Sequence, residues 1–399
     1  MKQLYKYNLK DISKLLLALL ILSINVNGPD FFHTKELFFV LFIATSFQYA
    51  EYSHLYEFFI MFTVVLISCC LNLIIPGSNL TFSNILSNTL GVIYLILLIF
   101  NNDCYKNVII KTYLFSAKCV AILIISIWCI CSFNPFLKTA IIAYFESIKS
   151  DKVAFIMMIQ NRKILKWWVL GVYYGTAPCM IPALGFYLIQ QLNNKSKRNI
   201  VNILLLASAL IMTGARANIM ASGLLVLSYY GFYLIKRKYY SLALFSLMFV
   251  LFGGIIVAYA FLSDKGEASL NVKNLHKVSY LELFDTDIIR TFFYGWGAGS
   301  KFYSKGFKCF TEITELSLYE TIRRYGFVST LLIFLFIWLK PILIIFEKKH
   351  NFTSIFPIII LCAYIFVACT NPFLLGSIGF CALLFFNTYF ENYNNKDSI

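Results

Sequence analysis

YSLALFSLMFVLFGGIIVAYAFL, residues 240–262, carries no charged side chain, and as a helix it is long enough to cross a bilayer core of roughly 30 Å. The chain then changes character. Residues 290–326 read RTFFYGWGAGSKFYSKGFKCFTEITELSLYETIRRYG and close a polar segment, 263–324, that separates this run from the next apolar one. The contrast decides the fold class. Charged side chains and irregular backbone are tolerated in a membrane protein only where water or other protein covers them. The segment 263–324 therefore reads as one long external loop between spans.

Outward from this pair, apolar runs recur along the whole chain. They predict spans at about 15–29, 36–50, 57–75, 83–101, 113–132, 167–190, 199–213 and 217–235 before the loop, and at about 325–346, 352–369 and 373–390 after it. With 240–262 this gives about twelve helical spans in a single integral domain, 1–399. Lys2, Lys6, Lys10 and Lys14 precede the first run, which reads as an uncleaved first span. Basic turns at Lys195, Lys197 and Arg198, at Lys236, Arg237 and Lys238, and at Lys348 and Lys349 all fall on one side, which places both termini in the cytoplasm. The segment with Glu51, His54 and Glu57 falls on that side too, yet it is acidic, a local departure from the rule.

Composition agrees with this class. Of 399 residues, 60% are hydrophobic and 13% charged, more apolar surface than a soluble protein can hide. The runs are continuous rather than alternating, which excludes a transmembrane β-barrel. The net charge of +15 is first a topology signal; its basic residues are dispersed between spans, so nucleic acid is not an expected partner. Most of the eleven cysteines, including Cys69, Cys70, Cys129, Cys131 and Cys362, lie in apolar runs and read as packing residues; Cys309 stands in the loop. No disulfide framework or metal-ligand spacing is visible, and no metal or cofactor is expected.

Residues 133–166 form a second external stretch, with Lys138, Lys149, Lys152, Arg162, Lys163 and Lys166 against Glu146 and Asp151. Two readings stand together: an amphipathic helix on the membrane surface, and an electrostatic collar for an anionic glycolipid.

The external face carries the candidate chemistry. Arg216 follows Thr213-Gly214-Ala215 in a turn of scarcely four residues between apolar runs. It reads either as a snorkelling helix-end arginine or as a phosphate ligand, since a guanidinium presents a planar fork of donors. Arg290 stands just before Tyr294-Gly295-Trp296-Gly297-Ala298-Gly299. Glycines at alternate positions permit close backbone approach, and such a turn is either an ordinary tight turn or an anion-binding one. Glu312 reads as a solvated charge. Glu320 is placed to pair with Arg323 or Arg324 one helical turn on. Glu315 has no such local partner, and a carboxylate at the mouth of a span suits a general base.

These residues resemble the family of O-antigen polymerases (Wzy-type) and O-antigen ligases, integral membrane glycosyltransferases. The resemblance rests on Met212-Thr-Gly-Ala-Arg216-Ala, on Arg290 with Tyr294-Gly-Trp-Gly-Ala-Gly299, and on Glu315-Leu-Ser-Leu-Tyr-Glu-Thr-Ile-Arg-Arg-Tyr-Gly326, in that order. Two departures stand out. Ala215 and Ala217 replace the family's usual serine and glycine. Glu315 stands eleven positions before Gly326, where ligases carry a histidine, and His276 lies well upstream. The latter favours polymerase over ligase.

The resemblance implies an all-α, GT-C-like enzyme of the bacterial inner membrane with its active site on the periplasmic face. It would move a growing glycan from undecaprenyl pyrophosphate to a new lipid-linked repeat unit, without a metal. Arg216, Arg290 and Glu315 would be catalytic. Arg216, Arg290, Arg323, Arg324, Gly295, Gly297 and Gly299 would bind the pyrophosphate and glycan. Membrane lipid and a chain-length regulator protein are the implied partners. The alternatives are an O-antigen ligase and a lipid-linked oligosaccharide flippase; few intramembrane charges and no internal repeat speak for transport.

Overall fold

The computed structural model describes residues 2–26, 33–52, 55–74, 91–147, 157–164, 167–242, 268–312, 314, 316–347, 355–369 and 374–392. The expected span 240–262 therefore lies almost wholly outside the described residues, as does Glu315. Two compact units divide the chain. The first comprises 1–48, 105–264 and 350–367, and the second 49–104, 265–349 and 368–399.

Helix dominates both units. In chain order the helices are α1 (Lys2–Asn25), α2 (Thr34–Ser46), α3 (Leu55–Ile74), α4 (Lys106–Phe133), α5 (Pro135–Ser147), α6 (Met180–Asn193), α7 (Lys197–Met212) and α8 (Arg216–Lys236). After the long loop begins come α9 (Ala268–Thr286), α10 (Ile288–Phe293), α11 (Ser317–Tyr325), α12 (Phe327–Ile333, continued by a π-helical turn Phe334–Trp338), α13 (Lys340–Glu347), α14 (Ile355–Cys369) and α15 (Ser377–Asn392).

Three of these are long and apolar enough to cross a membrane: α3, α4 and α8. The pair α11–α12 qualifies as a fourth when taken together, bent by 118° at Gly326. Only 33%, 39% and 28% of the three apolar stretches is buried, so most of their surface faces outward, the distribution that lipid permits and water does not. The fold class is thus that of a helical membrane protein.

In the first unit α4 shows why these sequences form packed helices. Ile109, Tyr113, Ala117, Val120 and Ile124 recur at helical spacing and are all buried. Polar pins join its neighbours: Ser13 Oγ and Tyr105 OH lie 2.8 Å apart, and Asn25 donates to Ser116 Oγ at 2.8 Å. Helix α6 is buried along nearly its whole length, and a Cβ at Gly185 would stand 2.5 Å from the Ile360 side chain, so the two backbones approach closely.

The expected helical span 167–190 requires correction. Its first half is a strand, β2 (Trp167–Tyr174), paired antiparallel with β1 (Met157–Ile164) in the register Met157↔Tyr174 to Ile164↔Trp167. Trp-Trp-Val-Leu-Gly-Val-Tyr-Tyr is rich in the aromatic and β-branched residues that suit a pleated surface. Trp128 of α4 donates to the Leu170 carbonyl at 2.9 Å and holds the hairpin in place. Helix starts only after a 3₁₀ turn at Ala177–Cys179 that contains Pro178. Within the expected 83–101 span, Tyr94–Phe100 is 3₁₀-helical.

In the second unit α15 is buried almost throughout, and Asn101 reaches Glu391 at 2.7 Å. Glu57, in the first turn of α3, is fully buried and ion-paired with Lys340, which also lies 4.8 Å from the Tyr56 ring. Removing one partner of a buried pair strands the other charge, at a cost of about 3 kcal/mol. Lys340→Ala is therefore expected to lower the melting temperature of the detergent-solubilised protein clearly. Glu57→Gln combined with Lys340→Met is expected to recover most of the loss. Equal melting of Lys340→Ala and the parent chain would show that the pair adds no stability.

Candidate functional site

The loop expected between spans is a folded piece of the second unit. Helix α9 turns His276, Ser279 and Tyr280, one turn apart, to the inside. His276 Nδ1 lies 2.7 Å from Ser304 Oγ, and Ser279 Oγ accepts the Lys305 N–H at 2.8 Å. These contacts seat α9 on a hairpin of β3 (Phe302–Ser304) and β4 (Cys309–Thr311). The Tyr280 hydroxyl meets Thr314 Oγ1 at 2.7 Å and donates to Glu320 at 2.6 Å. Burial, then the neighbouring Glu320 charge, push the phenol's pKa well above its usual range.

Glu320 gathers both arginines of α11, as expected from their spacing. Arg323 Nη2 lies 2.6 Å and Arg324 Nε 2.5 Å from Glu320 Oε1. Arg323 is fully buried, and its remaining donors go to the Ser300 carbonyl (2.8 Å), Ser300 Oγ and the Glu312 carbonyl (2.8 Å). The ligand role expected of Arg323 therefore gives way to an internal one, because its donors are already used and none of its side chain is exposed. Arg324 keeps 16% of its side chain exposed.

Arg290 sits differently. Asp287 caps α10 by accepting the Arg290 backbone N–H at 2.9 Å. The helix stops at once, because Gly295 (φ 68°) folds back to donate to the Arg290 carbonyl at 2.7 Å. Gly297 and Gly299 also have positive φ, as their pattern suggested. The turn then lies across the end of α11. Trp296 N–H donates to the Arg323 carbonyl (2.6 Å) and Gly297 N–H to the Arg324 carbonyl (3.1 Å). A Cβ at Gly295 would stand 2.5 Å from the Gly326 nitrogen, and one at Gly326 (φ 83°) 2.7 Å from the Phe293 carbonyl carbon.

Helix α3 supplies two residues that sequence reasoning missed. Ser68 donates to the carbonyls of Tyr294 (2.9 Å) and Arg324 (2.6 Å). Asn72 donates to the Gly295 carbonyl at 3.2 Å and accepts from Arg290 Nη2. Their signal was a pair of polar side chains four apart in an apolar run, hence on one helix face.

Arg290 is thus 6% exposed, with Nε on the Gly295 carbonyl (3.3 Å) and Cζ 4.1 Å from the centroid of the Trp296 ring. Its partners are an amide, a carbonyl and a π face, all neutral. Among the described residues no carboxylate lies within ion-pairing distance of it, and Nη1 takes no hydrogen-bond partner. Burial lowers its pKa, while Tyr294 and Asp287 act to raise it. The guanidinium is therefore oriented by neutral groups, with the Asp287 carboxylate at the cap of α10 acting on it without an ion pair.

Arg216 belongs to the first unit, apart from the other candidates. It opens α8 after Gly214 (φ 63°), and Thr213 Oγ1 accepts from Ala215 N–H and from Asn218, each at 3.2 Å.

Fold and site together define a class, the α-helical integral membrane proteins. Comparison with protein-family models, with curated proteins and with solved structures finds no match.

The glycine crossing makes a steric prediction. Gly295→Ala and Gly326→Ala each force a Cβ into backbone at a positive φ, and each is expected to lower thermal stability and to expose the 290–326 segment to limited proteolysis. Gly223→Ala, where the new methyl meets open space, is expected to change neither.

Proposed function

We propose that the chain is a Wzy-type polysaccharide polymerase. It transfers a growing glycan from undecaprenyl pyrophosphate to the non-reducing end of a new lipid-linked repeat unit, for O-antigen or capsule. The observation that supports this reading is the buried Arg290 at the glycine turn, which forms no ion pair among the described residues and is fixed to the end of an apolar helix by Asn72 and Ser68. A diphosphate leaving group brings a negative charge for that guanidinium to meet. Its charge grows as the glycosidic bond breaks, so a fixed guanidinium stabilises the transition state more than the ground state. Arg216, at a turn between two apolar helices, and the part-exposed Arg324 are further ligands in this scheme. Glu315 takes the proton of the acceptor hydroxyl. The twelve-span GT-C-like layout, cytoplasmic termini, periplasmic loop and a chain-length regulator as partner belong to the same proposal.

Arg290→Ala is expected to cut chain elongation by about 100-fold or more, the cost typical of losing one charge-stabilising donor. Arg216→Ala is expected to act in the same direction. In both, surface glycan is expected to shorten to single repeat units while an immunoblot shows normal amounts of membrane-inserted protein. Arg290→Lys is expected to rescue poorly, since an ammonium lacks the planar fork. Arg323→Ala is expected to lower protein abundance instead. A normal ladder of chain lengths in Arg290→Ala removes this residue from the mechanism. Acceptor bearing no repeat at all in a strain lacking the gene points to a ligase, and repeat units trapped on the cytoplasmic side point to a flippase.

A further inference from the structure

Helix α10 has two unlike sides. Arg290 is 6% exposed, whereas Ile288, Ile289, Phe292 and Phe293 of the same short helix are 71%, 69%, 44% and 57% exposed. The neighbouring helix α9 is mixed: it presents Asn271, Asn274, Lys277, Glu282 and Asp285 to its surroundings, with Leu275, Val278 and Leu281 between them 40%, 41% and 44% exposed. A cluster of large apolar side chains turned outward marks a contact with an apolar partner. The edge is continuous with the apolar surface of a candidate span. Phe292 stacks on Phe327 with centroids 5.7 Å apart and planes 20° from parallel. Phe327 opens α12, the apolar half of the bent candidate span, and its outward stripe continues through Leu331, 49% exposed.

We infer that α10 is an interfacial wedge. Its apolar edge is immersed in the acyl chains beside the first turn of α12, and the bilayer, not water, covers Ile288, Ile289, Phe292 and Phe293. The loop's own helix therefore dips into the membrane and carries Arg290, on its inner side, to headgroup depth. Amphipathic segments in this position bury their apolar side at the boundary between headgroups and acyl chains. The consequence for catalysis rests on the polymerase reading; the immersion does not.

The test uses the full-length, unmodified chain in liposomes, with two probes mapped by peptide mass spectrometry. One is a phospholipid carrying a diazirine in its acyl chain, the other hydroxyl radicals generated in the water phase. Residues 288–293 are expected to take acyl-chain label at a level like that of 327–338 and to be protected from radicals, while the polar positions Asn271, Asn274, Lys277, Glu282 and Asp285 of α9 take radical label. Ile289→Glu, at a site with room for any side chain, is expected to reduce lipid labelling of 288–293 several-fold. Strong radical labelling of 288–293 overturns the inference, since water then covers the edge. Protection from both probes overturns it as well, because another protein surface or a second copy then occupies it. Neither readout depends on glycan synthesis, so failure here and failure of the polymerase reading are separable.

Discussion

The crossing of Gly295 over Gly326 is the contact on which the second unit depends. The last carbonyls of a helix have no partner within it and must find donors elsewhere. At the end of α11 the donors are the amides of Trp296 and Gly297, with the Ser68 hydroxyl added from α3. The amides reach those carbonyls only because neither crossing residue has a side chain. Once the strands of backbone are locked, little freedom remains around them. Arg290, five residues before Gly295, is fixed beside Asn72, and α12 leaves Gly326 at its steep angle to α11.

That geometry gives the arginines of one small region opposite electrostatic lives. Arg323 and Arg324 share the single Glu320 carboxylate, each within hydrogen-bond distance of it, so one negative charge serves two positive ones. Their cluster is closed by Tyr280, Thr314 and Ser300, and it behaves as a joint that holds α9, the hairpin and α11 together. Arg290 hydrogen-bonds to neutral dipoles and lies over a ring face, with the Asp287 carboxylate acting on it without an ion pair. Neutral partners orient a guanidinium without pairing its charge. The resemblance implies a ligand role for all three; one carboxylate pairs with two of them and not with Arg290.

Some of this was legible in the chain and some was not, for physical reasons. The glycine pattern marked a place of close backbone approach, and its three glycines have positive φ, which few other residues tolerate. The Glu320 pairs followed from helical spacing. Ser68 and Asn72 were hidden by their surroundings, since an apolar run averages over its few polar members. The run 167–190 misled because hydropathy counts aromatic and β-branched residues alike in helix and strand. What makes Trp167–Tyr174 a strand is a partner, Met157–Ile164, that local composition does not reveal. Gly326 was visible as punctuation, but the 118° bend depends on what crosses there.

The acidic departure at Glu57 finds its explanation in the same helix that anchors the loop. Helix α3 is pinned twice: near its start Glu57 meets Lys340, and near its end Ser68 and Asn72 meet the glycine turn. From residue 57 to 72, at about 1.5 Å per residue, the pins stand about 22 Å apart. Running the other way, α12 and its π turn carry the chain from Gly326 at one pin to Lys340 at the other, over a similar number of residues. Two antiparallel segments of matched length thus hold the polar loop at one end and a neutralised ion pair at the other, a separation comparable with most of a bilayer core of roughly 30 Å. A carboxylate cancelled by its own lysine carries no weight in the charge asymmetry that orients a membrane protein. The acidity at Glu57 therefore does not count against the basic turns when topology is read from charge.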